Sequence, residues 1–400
     1  MNNSPPRFDS LTSIRFVAAV AVYLYHCRHL LQLVPDGDSV NLIHRTLGLG
    51  FLGVPFFFTL SGFILCLVYS ARMPTGRVEG AGFNLRAFFL ARLARVYPMY
   101  IASLIPAIPF FFADSKGSPV WAKATAVITT PILLQAWIPS SALLWNPVGW
   151  SLSVEAFLYL LFPLLLRRMM GGSSIRPVVI AIATLAMGAF ALLAIARIAP
   201  ETALPGPFAI PASTLQKLAR YSPALHLPAF VAGMAAALLF TRRQSAFTAQ
   251  HGLAFCIVAI ASCATAALVS DRIPHLHLHN WLLTPGFALL LVGLAILDTG
   301  SHLPNLPWLN LLGEASYSFY LTHLISIRLY SKVVELITGS PASGWTHAFA
   351  CLLPTTLLSI ACHLWLERPM RRVILQWAGQ RHHPVGSPKS QQHSAEPRNP

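Results

Sequence analysis

Acidic side chains are the scarcest resource in this sequence. Asp and Glu together number 13 in 400 residues, against 28 Lys and Arg, and all charged residues make up only 10%. Soluble domains carry charge at about 25% of positions, and no stretch here is polar enough for long enough to form one. Cysteine patterning is also missing. Cys27, Cys66, Cys256, Cys263, Cys351 and Cys362 lie in or beside apolar segments, with no CxxC pair and no metal-ligand spacing. That excludes a disulfide scaffold and a thiolate metal site, and leaves six small buried hydrophobes. No cleavable signal peptide is evident, since the first apolar segment is followed by many others and reads as a retained span. No internal repeat is evident either. The net charge of +15 does not imply nucleic acid. The basic residues fall in short clusters between apolar segments, as the positive-inside rule expects, where anionic lipid headgroups are natural partners.

What the sequence has in abundance is apolar length: 55% of residues are hydrophobic and mean hydropathy is +0.60. The expected class is all-α, a polytopic transmembrane bundle of about ten spans. The spans fall at 12–31, 47–70, 87–112, 150–166, 177–198, 224–240, 252–270, 281–298, 312–338 and 345–366. An eleventh apolar stretch, 120–138, contains Lys123, several Thr and Pro131. Loop charge decides its status. Arg72, Arg77, Arg86, Arg92 and Arg95 precede or enter the third span; Arg167, Arg168 and Arg176 follow the fourth; Arg242 and Arg243 follow the sixth; Arg368, Arg371 and Arg372 follow the last. All four clusters share one side only if 120–138 does not cross. Both termini are then cytoplasmic, and the Pro-, Ser-, His- and Gln-rich tail from about 381 reads as disordered.

Within the apolar segments a few polar residues stand out. Arg15 and His26 are eleven residues apart in the first span. Eleven steps of about 100° place both on one helix face, about 16 Å apart along the axis. An ionisable pair inside the membrane points to function, although a snorkelling Arg and a satisfied His fit the same pattern. Arg92 and Arg95 share a face at the entry to the third span, ahead of Pro98. They could hold phosphates bidentately, or simply anchor the helix. Glu155 is the acid set deepest in an apolar run, four residues after Ser151 in Asn146-PVG-Trp150-Ser151-Leu-Ser-Val-Glu155. Such a carboxylate must be paired or protonated, and a structural Glu–Arg or Glu–His pair is the plain alternative to a catalytic role. Ser316, Tyr317, Tyr320 and His323 form a polar stripe that could serve a substrate or hold helices together. The run Gly50-FLGVPFFFTLSGFIL reads as a close-packing helix with a bend at Pro55. Glu367-Arg368-Pro369 reads as a helix stop with a local ion pair. His275, His277 and His279 would lie on one side of an extended outer loop, a weak metal motif without an acidic or Cys partner.

Together these pieces resemble the membrane acyltransferase-3 family. The matching motifs are R-x10-H (Arg15, His26), F-x-L-S-G-F (Phe58, Leu60, Ser61, Gly62, Phe63), R-x-x-R-x-x-P (Arg92, Arg95, Pro98), W-S-L-x-x-E (Trp150, Ser151, Leu152, Glu155), S-Y-S-x-Y-L-x-H (Ser316, Tyr317, Ser318, Tyr320, Leu321, His323) and E-x-P (Glu367, Pro369). They run in order across nearly the whole chain. The resemblance implies a stand-alone transmembrane acyltransferase domain at 8–375 in the cell's inner membrane, with no permanently bound cofactor and no metal. It would move an acyl group, acetyl first among them, from cytoplasmic acyl-CoA to a hydroxyl of a carbohydrate such as a surface polysaccharide, O-antigen or glycolipid. His26 would be general base or be transiently acylated, with Glu155 fixing its tautomer if their helices meet. Arg15, Arg92 and Arg95 would hold the CoA phosphates. Trp150, Ser151, Tyr317 and His323 would be substrate contacts. The competing class is a transporter or exporter of a lipid-linked glycan or small solute, because proton-coupled carriers also use intramembrane Arg, His and Glu.

Overall fold

The computed structural model describes residues 8–33, 42–70, 83–198 and 214–379. Arg72, Arg77 and the tail from 381 lie outside the described residues. The described chain is helical, without a strand: α1 (Asp9–Leu30), α2 (Leu42–Gly48), α3 (Gly53–Ser70), α4 (Leu85–Asp114), α5 (Val120–Thr129), α6 (Trp150–Met170), α7 (Arg176–Ile198), α8 (Thr214–Tyr221), α9 (Leu227–Arg243), α10 (Ala249–Val269), α11 (His275–Asn280), α12 (Thr284–Thr299), α13 (Pro307–Thr338), α14 (Trp345–Cys362) and α15 (Arg368–Trp377). Among the described residues, nine helical stretches are long and apolar enough to cross a membrane. The tenth expected span is α13. Its 32 residues would cover about 48 Å at about 1.5 Å each, but its polar stripe lowers its hydropathy. That stripe is hidden from lipid: Ser316, Ser318, Tyr320, Thr322 and His323 are all buried.

The arginine-rich connections after α6 and α9 meet at one end of the bundle. There Ser10 donates to Asp298, Ser13 to Asn310, Arg242 to the Ser174 carbonyl, and Phe8 meets Phe240 edge-on. At the other end the Gly344 amide donates to the Leu31 carbonyl at 2.6 Å, Arg45 pairs with Asp271 at 3.1 Å and Arg328 with Asp114 at 2.5 Å. The stretch 120–138 contributes α5, ten residues long, which is about 15 Å or half a hydrocarbon core, and a 3-10 turn at Gln135–Trp137.

Close helix approach sets the core. A Cβ on Gly62 would stand 2.1 Å from the Phe230 carbonyl oxygen, and one on Gly233 would stand 1.9 Å from that of Thr59. α3 and α9 therefore touch backbone to backbone, as the small residues of the second span suggest. Two expectations change. The second span does not begin as one helix but as α2, a 3-10 turn at Gly50–Leu52, and α3. Glu367-Arg368-Pro369 is not a stop. The chain passes through a π-helical turn at His363–Glu367 and continues as α15, because Pro369 falls in the first turn of α15, where a missing N–H costs nothing. Nor is the ion pair local: Arg368 reaches Glu314 on α13, while buried Glu367 accepts from Ser318 at 3.1 Å and pairs with His363 at 2.9 Å. α4 also runs unbroken through Pro98. Nearby, the Tyr317 hydroxyl donates to the Val96 carbonyl at 2.7 Å and ties α13 to α4.

Candidate active site

Two cavities lie back to back in the bundle, and α1 contributes to both. The first is lined by Arg15, Ser61, Arg92, Arg95, Ser151, Glu155, Tyr159, Ser316, Tyr317 and Tyr320, among others. α1, α3, α4, α6 and α13 all supply side chains to it. Arg92 and Arg95 point the same way because they are one helical turn apart on α4. Arg15 faces both of them, together with Glu155 and Tyr159. The Tyr159 hydroxyl donates to Glu155, and the Arg92 guanidinium stands 5.9 Å over the Tyr159 ring. Three guanidinium groups and one carboxylate thus line the same cavity. The excess positive charge, enclosed between helices, suits a polyanion, and the planar forks suit phosphate oxygens.

The second cavity is lined by His26, Trp150, Arg220, Tyr221, His275, His279 and Tyr320, with Val22, Tyr25, Phe51, Val54, Leu143, Pro147 and Val148. Val54 and Tyr320 line both cavities. Tyr320 is held at this junction by hydrogen bonds with Ser151 Oγ at 2.9 Å and to the Val148 carbonyl at 3.3 Å. Aromatic rings dominate the second cavity: Trp150 lies 5.1 Å from Tyr221 and 5.6 Å from His279, centroid to centroid.

The sequence-derived candidates divide between the cavities. Arg15, Arg92, Arg95, Glu155, Ser151 and Tyr317 fall in the arginine cavity, and His26 and Trp150 in the histidine cavity. Glu155 does not meet His26. Trp150 begins α6 at the level of the histidine cavity, and Glu155 lies five residues further on, about 7.5 Å along the axis. The carboxylate therefore faces Arg15, Arg95 and Tyr159. Half-buried Glu155 is thus an electrostatic neighbour of arginines rather than of His26. His323 is not placed as a substrate contact. It is fully buried and lines neither cavity, with its Nε2 3.1 Å from His26 Nδ1.

The three outer histidines are also corrected. They form a six-residue helix, not an extended loop, because Pro274 starts a turn and Leu276 and Leu278 are buried. His275 and His279 then share the cavity face, while His277 turns away to accept from Trp281. Among the described residues no group of three or more His, Cys, Asp or Glu could hold a metal ion.

A model of an acyltransferase domain, that of the acyltransferase-3 family, matches residues 8–364. The chain belongs to the acyltransferase-3 family. It is an acyltransferase and a multi-pass membrane protein. Among its relatives, "Acyltransferase MdmB" of Streptomyces mycarofaciens is 27% identical over 92% of this chain and 94% of its own length. "Exopolysaccharide production protein ExoZ" of Rhizobium meliloti (strain 1021) is 37% identical over 22% of this chain and 27% of its own length. "Protein 2 in picA locus" of Rhizobium radiobacter is 30% identical over 41% of this chain and 77% of its own length. No solved structure matches.

Several residues in and beside the two cavities of this acyltransferase carry no signal strong enough to single them out in the sequence. Tyr159 could have been found as the residue four after Glu155. Arg371, which faces Arg92, Arg95 and Glu367, reads in sequence as one more positive-inside residue. Arg220 and Tyr221 sit at the end of α8, an eight-residue helix too short for a span.

Proposed function

We propose that this enzyme transfers an acyl group, acetyl in the first place, from acyl-CoA to a hydroxyl of a carbohydrate acceptor, across the wall between the two cavities. The observation that carries this reading is the junction itself. A cation-lined cavity and an aromatic cavity share Val54 and Tyr320, and Arg15 and His26 of one helix serve one cavity each. Arg15, Arg92 and Arg95 would bind the CoA phosphates, with Glu155 and Tyr159 keeping the guanidinium groups in place between donors. The thin pantetheine arm would pass along α1 toward Tyr320 and bring the thioester to His26. The arginine end of the bundle then faces the cytoplasm, where acyl-CoA is made. That orientation agrees with its loop charge and supports a cytoplasmic-membrane location.

In the histidine cavity, Trp150, Tyr25, Phe51 and Tyr221 offer apolar faces against which the C–H faces of a sugar ring can pack, while Arg220 and the imidazoles offer polar edges. A relative's name, the exopolysaccharide production protein, agrees with a carbohydrate acceptor. His26 would take the acceptor proton as the hydroxyl attacks the thioester, since imidazole is the side chain best matched to that task near neutral pH. The test is mass spectrometry of the surface glycans of cells with and without the gene. Loss of an acyl mass at unchanged glycan abundance supports the transferase reading. Loss of the glycan itself would overturn it in favour of transport or assembly.

A further inference from the structure

The side of His26 away from substrate is occupied by a second imidazole. His323 lies on α13, fully buried, with its ring 5.0 Å from that of His26. A buried imidazole needs partners for its nitrogens, and the partners here fix its state. His323 Nδ1 is 2.7 Å from the Tyr320 carbonyl oxygen. A carbonyl can only accept, so this nitrogen carries the hydrogen, and the neutral ring presents a lone pair at Nε2. That lone pair is 3.1 Å from His26 Nδ1. His26 Nδ1 is also 3.0 Å from the Val22 carbonyl oxygen, so it too carries a hydrogen, shared between two acceptors. Two backbone carbonyls thereby set two tautomers in series, and the basic lone pair of His26 is left on Nε2.

We propose that His323 is a positioning residue for acyl transfer. It accepts the His26 Nδ1–H, holds the ring with Nε2 as the base, and accepts a charge-assisted, stronger hydrogen bond when His26 becomes imidazolium. The inference rests on the proposed role of His26. In that step the acceptor O–H bond breaks and its proton goes to His26 Nε2. The acceptor oxygen forms the new ester bond to the acyl carbon, the C–S bond breaks, and the Nε2 proton leaves with the sulfur as the CoA thiol. His323 exchanges no proton. It takes the place that the sequence alone assigned to Glu155. A carboxylate there would orient the ring equally well but would put a net charge in an apolar layer bounded by Phe319 and Tyr23, which an imidazole avoids.

The experiment is steady-state transfer by the purified full-length enzyme in lipid nanodiscs, with acetyl-CoA and a carbohydrate extract from the host surface. His323→Leu keeps the volume and removes the acceptor. His323→Gln puts an amide oxygen near the place of Nε2. Leu is expected to lower kcat about 10–100-fold, with KM for acetyl-CoA and acceptor held within about twofold, and Gln to restore most of the loss. A histidine that merely fills space predicts the reverse order, with apolar Leu at least as active as Gln; that order overturns the proposal. If Leu does not fold, as judged by Tm and size-exclusion profile, His323→Asn replaces it. Its shorter amide mimics Nδ1 and cannot reach His26, so Asn must fall below Gln. His26→Gln, run in parallel, separates the two layers. Wild-type turnover by that variant removes the base assignment itself. Inactivity of that variant beside a fully active His323→Leu removes only the role of His323.

Discussion

The two cavities share a wall yet differ in kind. Among the described residues, the arginine cavity presents Arg15, Arg92 and Arg95 with Glu155 as the counter-charge, while the histidine cavity presents His26, His275, His279 and Arg220 among five aromatic rings. Fixed charge of one sign recognises a polyphosphate whatever is attached to it. Aromatic faces and neutral imidazoles recognise shape and hydroxyls. On the proposed reading, keeping these environments apart is an advantage: Arg220 already shares the cavity of His26, and three more guanidinium groups there would further oppose its becoming a cation. The roughly 16 Å between Arg15 and His26 on α1 separates the three-arginine cluster from His26, and one helix fixes both.

The comparison is broken most directly at His26. His26→Ala should lower transfer about 10²–10⁴-fold, the usual contribution of a general base, without altering expression, Tm or binding of acetyl-CoA. A variant that still transfers at wild-type rate would show that the histidine cavity binds but does not react. The arginine cavity should respond differently. Arg92→Ala with Arg95→Ala removes charge-assisted bonds worth about 1.5–3 kcal/mol each. KM for acetyl-CoA should rise about 10²-fold or more while KM for the acceptor stays put. An equal rise for both substrates would mean that the wall between the cavities is not a functional boundary. If the double variant instead shows inverted topology by cysteine accessibility, the two arginines are anchors.

A smaller effect is expected at Trp150, whose ring lines the histidine cavity. Trp150→Ala should raise KM for the acceptor about tenfold, the scale of one lost aromatic contact of 1–1.5 kcal/mol, and leave KM for acetyl-CoA unchanged. Enzyme-coupled release of CoA thiol, measured while each substrate is varied in turn, gives both constants. A shift in the acetyl-CoA constant alone would place Trp150 functionally in the wrong cavity.

How much of this was legible in the sequence follows from the range of each interaction. The helical class came from apolar runs, and the shared face of Arg15 and His26 from the period of a helix; both are local. The short α5 was legible from Lys123 and Pro131 together with loop charge. Partnerships between helices were not. Glu155 could fix the tautomer of His26 only if their helices met at one depth, and depth is not written in sequence: a five-residue offset from Trp150 carries the acid to the arginines. His323 was marked as polar, while its contact with His26 depends on how α1 and α13 cross, where a Cβ on Gly313 would stand 2.1 Å from the Thr12 carbonyl oxygen. The three histidines of α11 misled because strict alternation is a strand signal; one Pro ahead of them and two buried Leu between them were enough to wind the segment into a helix.

The mildest test sharpens the edge of the arginine cavity. Arg371 lies on α15, facing Arg92, Arg95 and Glu367, but unlike those three it is exposed. An exposed guanidinium contributes little to binding, about 1 kcal/mol or less, and salt screens what it does contribute. Arg371→Ala should therefore raise KM for acetyl-CoA only about two- to fivefold at low salt, and the difference from wild type should fade as ionic strength rises toward 0.5 M. The enclosed Arg92 and Arg95 should keep most of their effect over the same range, since groups between packed helices are screened far less. If Arg371→Ala costs as much as Arg92→Ala and is insensitive to salt, the phosphate site extends onto α15 and the cavity closes over its donor. If Arg92→Ala fades with salt as Arg371→Ala does, the arginine cavity is an open vestibule, and its contrast with the enclosed histidine cavity becomes one of exposure as much as of charge.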